Sequence, residues 1–348
     1  MKDQVALNTA PASDGGAGLL PRSRAMKALL SGGRSGAIPM WEVWFGMVDM
    51  QKKYWGEWEK VESHIGMALE LGMAAIPAGF INTNVGFADM REGAKGTGKY
   101  AGGKLHCREQ LAKRSLPDWT ADIERFKSNQ AKIHAAGLLG VLYLPWCFHA
   151  IATGMGLENL CYALYDEPDF IRECFAWVED RNREAIRRIV SAVRPDFVLF
   201  DGDCAYKTGL MVNPGMFREL TFDLTRGTVS LLRDLGIPYT IHTDGKIDQV
   251  IPMLVELGFS AVHGCEKQAN DLEFLVREFG DDITLVGNMD VVFLSSATPD
   301  DVRRETVEML KTGGARGRFI AACNTSPKDY IPEANYRAFC ETIRNFHA

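Results

Sequence analysis

The sequence predicts a single (β/α)8 barrel, a closed ring of parallel strands sheathed in helices. Three observations lead there. Eight apolar, strand-like segments alternate with amphipathic helical segments, no linker-like change of composition divides the chain, and its densest apolar stretch suits a strand covered on both faces. An open, doubly wound sheet usually has fewer strands in a chain of this size.

A Gly/Ala/Ser-rich leader over residues 1–18 is expected to be disordered, which leaves 19–348 as one domain. AMKALLSG reads as a short helix, and AIPMWEVWF, residues 37–45, as the first strand. WEKVESHIGMALELG is amphipathic, with Val61, Ile65, Ala68 and Leu69 on one face, and AAIPAGFIN follows as the second strand. The polar segment 86–115, rich in Gly and Lys, reads as a ribbon or loop excursion. Helix DIERFKSNQAKIHAAG precedes strand LLGVLYLPW, and a long helix interrupted near Pro168 precedes DFVLFDGD. The remaining strands, IPYTIHTDG, SAVHGCE, DITLVGNMD and GRFIAACNT, each follow a helical segment, and ANYRAFCETIRNF closes the chain as a helix.

The 348 residues carry 39 basic and 45 acidic side chains, a formal charge of −6, which excludes a nucleic-acid binder that relies on bulk positive charge. Eight scattered cysteines without a CxxC pair are not a disulfide framework. The N-terminus has no apolar run of signal-peptide length, so a cytoplasmic protein with free thiols is expected. Residues 133–157 lack formal charge over a membrane-spanning length. Gly137, Gly140, Pro145, His134, His149 and Thr153 interrupt that run, so it reads as a helix end, a turn and a buried strand, with no membrane partner.

Barrel chemistry sits where the strands' C-terminal ends emerge. Those positions carry Glu42, Trp44 and Phe45, then Asn82 and Asn84, then Trp146, Cys147 and His149, then Asp201 and Asp203. On the later strands they carry His242 and Asp244, His263, Cys265 and Glu266, Asn288 and Asp290, and Cys323 and Asn324. His242, Cys323, Glu266 and Cys265 are the candidate metal ligands, because zinc needs three or four N, S or O donors converging from separate elements. A buried cysteine after an Ala-Ala pair also serves as core filler. Asp201, Asp203, Asp244, Glu266 and Asp290 cannot all ionise in one dry cleft without a cation or a base, for which Lys207 is the candidate. Some of these acids instead suit helix caps, Asp290 above all. Glu42, Trp44, Phe45, Phe80, Trp146, His149, Tyr206 and Asn288 are the candidate substrate-binding residues, the aromatic ones suited to packing the mouth or to a flat or methylated apolar group. GxGxxG, P-loop and GxSxG motifs are absent.

Residues 242–290, from HTDGKIDQV to VGNMD, together with NYRAFCETIRNF, FDGDCAYKTGLMVNPGMFREL and IPMWEVWFG, resemble the uroporphyrinogen decarboxylase superfamily over residues 20–346. The resemblance implies the same barrel with its site at the strand C-termini. True uroporphyrinogen decarboxylases carry an arginine run near the N-terminus that holds a polycarboxylate, whereas residues 41–46 here hold no arginine and one acid, Glu42. The chain is therefore more similar to the corrinoid-dependent methyltransferase branch. That branch implies transfer of a methyl group from a small methylated substrate, for this aromatic mouth a methoxylated aromatic, to a corrinoid. The chain has no DxHxxG corrinoid-binding motif, which implies a corrinoid supplied by a partner protein. Some members bind zinc through an H-x-C pair on strand five and a cysteine on strand eight. His242 and Cys323 match two of those positions, and Asp244 stands at the third, where Asp244, Glu266 or Cys265 would complete the set. The implied catalytic residues are Asp203, Asp244, His263 and Lys207, with Asp203 or His263 as general acid. The alternative is decarboxylation of a small acid whose carboxylate Lys207 or His149 recognises.

Overall fold

A computed structural model describes residues 18–83, 87–92 and 98–347 of the protein, so nearly all of the leader expected over 1–18, and Asn84 at the end of the second strand, lie outside the described residues. Seven parallel strands, β1 (Ala75–Phe80), β2 (Leu139–Pro145), β3 (Phe197–Asp201), β4 (Tyr239–His242), β5 (Ala261–His263), β6 (Thr284–Met289) and β7 (Phe319–Cys323), pair in sequential order. Helices link consecutive strands, as parallel neighbours require.

The eighth stave departs from the full strand expected over 37–45. Met40 alone bridges both edges of the sheet, to Met73 beside β1 and to Ala321 on β7. The Ala321 amide donates to Pro39 O at 2.9 Å, that of Trp41 to Ala321 O at 3.0 Å, and that of Ala74 to Met40 O at 2.8 Å, which closes the ring. Pro39 has no amide to donate, so the ladder cannot extend through it.

Side chains alternate between the two faces of each stave. Trp41, Val43, Leu139, Val141, Tyr143, Phe197, Leu199, Ala261, Val286, Ile320 and Ala322 form one buried cluster, the barrel interior. The residues between them, including Leu142, Leu144, Val198, Phe200, Val262, Leu285, Ala321 and Cys323, belong to a second cluster shared with the helices. Helix Pro21–Leu30 joins the interior cluster through Met26, Leu29 and Leu30, and Ser23 Oγ donates to Ala74 O at 2.9 Å. It thereby plugs the end of the barrel at which β1 begins.

Other elements follow the sequence closely. Residues 133–157 resolve into the end of helix Thr120–Ala135, β2 and helix Cys147–Met155; no helix among the described residues is long and apolar enough to cross a membrane. The long helix breaks into Leu157–Asp166 and Pro168–Ala192 at the proline. Within 86–115, Ala88–Glu92 and Gly98–Gly103 form an antiparallel pair. One helix face differs from that expected. In helix Val61–Leu71, Leu69 is exposed and Met67 and Leu71 are buried instead.

Candidate active site

His242 ends β4 and His263 ends β5, each two residues along from an inward-facing or buried position, so both rings share the barrel mouth. The two Nδ1 atoms lie 2.7 Å apart, and His263 Nε2 lies 3.0 Å from Cys323 O. A carbonyl oxygen only accepts, so His263 Nε2 carries a proton. Burial, followed by the neighbouring His242, pushes His263 well below the ordinary histidine range, so the ring is neutral and its Nδ1 accepts. His242 Nδ1–H is then the donor, and its Nε2 is the atom left facing the mouth.

Two carboxylates flank that nitrogen. Asp203 Oδ1 and Asp244 Oδ1 each lie 3.8 Å from His242 Nε2, beyond a hydrogen bond. One ligand atom from each of the three residues falls within 4.8 Å of the others. Bonds of about 2.1 Å to one small ion place neighbouring donors in this range. Asp244 Oδ1 is buried with no hydrogen-bond partner, an arrangement costly to leave unfinished. Burial raises Asp244 to about 6, with Asp203, Glu266 and Asp201 adding to the rise and His242 opposing it. Among the described residues, no lysine or arginine forms an ion pair with Asp203 or Asp244. An N, O, O donor set with an unsatisfied buried oxygen fits a divalent cation, although it lacks Cys323, which the resemblance implied beside His242.

Loop geometry delivers these side chains. Gly202, at φ 151°, lets His149 lie against the chain where a Cβ would approach its Cβ to 2.3 Å. The Asp203 amide then donates to His149 Nδ1 at 3.1 Å, and Asp203 Oδ1 accepts the Asp244 amide at 2.9 Å. Glu266 Oε2 accepts the Gly245 amide at 2.7 Å, and Asn270 accepts from the Ile247 amide at 3.0 Å and donates to Gly245 O at 2.8 Å. Glu266, expected as a metal ligand, thus clamps the loop after β4.

The expected sulfur ligands are not brought to the donor group. Cys323 follows the inward-facing Ala322, so its side chain points to the helix layer, where burial and Glu42 push the thiol well above its ordinary range. Cys265, at φ 43°, is fully buried in the same layer and pushed up to about 12 by burial. Glu42, expected to bind substrate, lies behind the wall with Cys323. Its carboxylate accepts the Cys323 amide at 3.1 Å and the Tyr336 hydroxyl at 3.1 Å, and burial raises it to about 7. Phe45 packs on Tyr336 with centroids 5.5 Å apart, and Trp146 is buried against Phe217. Lys207 turns to Gln268, which donates to Asp290, rather than to the inner acids. Asp290 caps the following helix by accepting the Val292 amide at 2.8 Å. Asn288 is buried on β6, and Tyr206 is exposed on the short hairpin after β3.

Trp44 and Phe80 remain at the mouth, ring centroids 6.3 Å apart. Trp44 Nε1 donates to Asp201 Oδ1 at 3.2 Å, and its ring lies 4.5 Å from that of Tyr143. Tyr143 was missed in the sequence; its alternation with Leu139 and Val141 was the available signal.

A closed parallel barrel with titratable donors at the C-terminal mouth defines a class of fold with an enzyme-like site. A family model described as uroporphyrinogen decarboxylase (URO-D) matches residues 115–346, two thirds of the chain, and the protein belongs to that family. Among solved structures, a methyltransferase from Methanosarcina mazei superposes with a TM-score of 0.73 at 16% identity, covering 94% of this chain and 99% of that one. The 3-keto-D-glucoside 4-epimerase YcjR from E. coli is similar at a TM-score of 0.43 and 11% identity, over 90% and 100% of the two chains. No curated protein matches the sequence.

Proposed function

We propose that the protein is a methyltransferase of the URO-D family that moves a methyl group from a small methylated donor to a corrinoid carried by a separate protein. Asp203, His242 and Asp244 would hold a divalent ion, zinc being the natural choice for one imidazole and two carboxylates. One observation carries the reading: His242 Nε2 stands between two half-buried carboxylates, one of whose oxygens has no partner. Similarity to the Methanosarcina mazei methyltransferase over nearly the whole of both chains supports it. The acidic mouth, with no arginine in residues 41–46, disfavours a polycarboxylate substrate.

When bound, the ion supplies Lewis acidity, stabilising negative charge on the donor's oxygen, nitrogen or sulfur as the methyl group leaves. His149, whose Nδ1 is committed to the Asp203 amide, keeps its Nε2–H for that leaving atom. This assignment replaces His263, both of whose ring nitrogens are engaged. Trp44 and Phe80 receive a flat apolar group such as a methoxylated ring, and the Asp201 contact holds the indole in place.

The test pairs elemental analysis with methylation of free cob(I)alamin by a panel of methoxylated aromatics, methylamines and methyl thiols. One zinc per chain, lost in Asp244→Ala, with methylcobalamin formed from at least one donor, is the expected result. Metal-free, active protein that releases CO2 from a small carboxylic acid would overturn it in favour of a decarboxylase.

A further inference from the structure

We infer that His263 is a positioning residue that locks His242 in the tautomer with its proton on Nδ1, so that Nε2 is held as a lone pair toward the two carboxylates. The inference rests on the metal-centre reading for its purpose, but not for its chemistry.

A histidine that binds a metal through one nitrogen needs its other nitrogen protonated and held, a role usually filled by a carboxylate or a backbone carbonyl. Here a second imidazole stands in that place. His242 Nδ1 has His263 Nδ1 at 2.7 Å, and among the described residues no carboxylate or carbonyl hydrogen-bonds to it. Two protonated nitrogens cannot face each other at that distance, so one of the pair must accept. The decision is made on the far side of His263, where Nε2 meets Cys323 O at 3.0 Å and must donate.

That carbonyl is itself fixed. The Asn324 amide, in the same peptide unit, donates to Met289 O at 2.8 Å, and the Cys323 amide donates to the Glu42 carboxylate at 3.1 Å. A rigid peptide behind the wall thus dictates which nitrogen of a residue in the mouth is bare. Both rings are buried, and their centroids lie 4.9 Å apart, so neither can flip without breaking the chain. Among the described residues His263 hydrogen-bonds His242 and Cys323 O and forms no ion pair with a carboxylate, so nothing compensates a second proton on this buried ring and its Nδ1 is left to accept.

Long-range 1H–15N spectra of the metal-free protein at pH 8 read the tautomer directly, with His242 assigned by its loss in His242→Ala. The expected spectrum has a protonated Nδ1 and a bare Nε2 on His242. His263→Phe, which removes the acceptor, should release His242 to the mixed or Nε2–H form and weaken zinc binding by about 10- to 100-fold. His263→Gln, which can accept from His242 through its oxygen and donate to Cys323 O through its amide, should restore the Nδ1–H form and most of the affinity. A wild-type His242 protonated on Nε2, or a His263→Phe spectrum unchanged from wild type, overturns the inference. A locked tautomer in a protein that takes up no zinc upholds it while removing the proposed metal function.

Discussion

Two acidic clusters sit back to back across the wall of this barrel. In the mouth, Asp203, Asp244 and His242 face one another without direct hydrogen bonds between their side chains. Behind the wall, Glu42 gathers the Cys323 amide and the Tyr336 hydroxyl. Each contains a carboxyl raised toward neutrality by loss of water, half-buried Asp244 to about 6 and fully buried Glu42 to about 7. The difference lies in completion. Glu42 is satisfied by the protein, whereas Asp244 Oδ1 is left open, and an open valence in a mouth is where a ligand gains the most. A shifted pKa alone does not separate a site from a structural network; the partner count does.

The strongest challenge to that contrast is His242→Ala. It should reduce bound metal from one per chain to none and slow methyl transfer by about 10³-fold, the several kcal/mol a Lewis acid supplies. Metal analysis and single-turnover formation of methylcobalamin would measure both, and an unaltered metal content would erase the distinction between the clusters.

Glu42→Gln probes the other side of the wall. The Glu42 carboxyl titrates near 7 when folded against 4.5 as its ordinary value. Between those pH values the unfolded chain has released a proton that the folded chain keeps, so this group makes stability fall as pH rises, by about 3 kcal/mol in all. Urea denaturation of the metal-free proteins should therefore show the variant gaining about that much on wild type between pH 5 and pH 8. Parallel curves would mean that Glu42 is ionised and satisfied throughout.

Asp244 obeys the same sign, raised from 3.8 to about 6, and destabilises the metal-free fold above that window. Being half-buried, it is partly screened, so Asp244→Asn should stabilise metal-free protein at pH 8 by only about 1–2 kcal/mol while abolishing zinc uptake. Thermal melts with and without zinc would show the trade, since zinc should raise the Tm of wild type alone.

The smallest effect belongs to Cys323→Ala. Loss of a small buried side chain should cost about 1 kcal/mol and leave zinc stoichiometry unchanged, because the thiol faces the helices. Loss of metal in this variant would place Cys323 in the mouth after all.

Much of the fold could be read directly. The alternation of apolar strands and amphipathic helices marked seven of the eight staves, and Pro168 marked the break in the long helix. The first stave is reduced to a bridge at Met40 where IPMWEVWF reads as a strand, and Pro39, without an amide, stops the ladder on its N-terminal side. The helix face carrying Leu69 was misassigned because Met67 and Leu71 fit the apolar stripe better. At the mouth, His242 and Asp244 are recognisable as donors at strand ends and the H-x-D spacing brings them to one loop, whereas Asp203 reads from the sequence as a general acid and joins the donor group only in the structure. Cys323 and Cys265 were not separable from them by residue type.

By itself, then, the sequence determined a ring of parallel strands and the set of polar residues at one end of it, since periodicity and turn chemistry act locally. Only the tertiary structure decided which of those residues share a face. FIAAC offers two similar small residues before Cys323, so its parity is set by pairing with β6 and by Met40 closing the ring, contacts distant in sequence. Beyond the strand ends, Gly202 at φ 151° and Cys265 at φ 43° redirect the chain, and no alternation carries through such turns. One residue of register separates a ligand in the mouth from a buried thiol behind it, and long-range pairing sets that register.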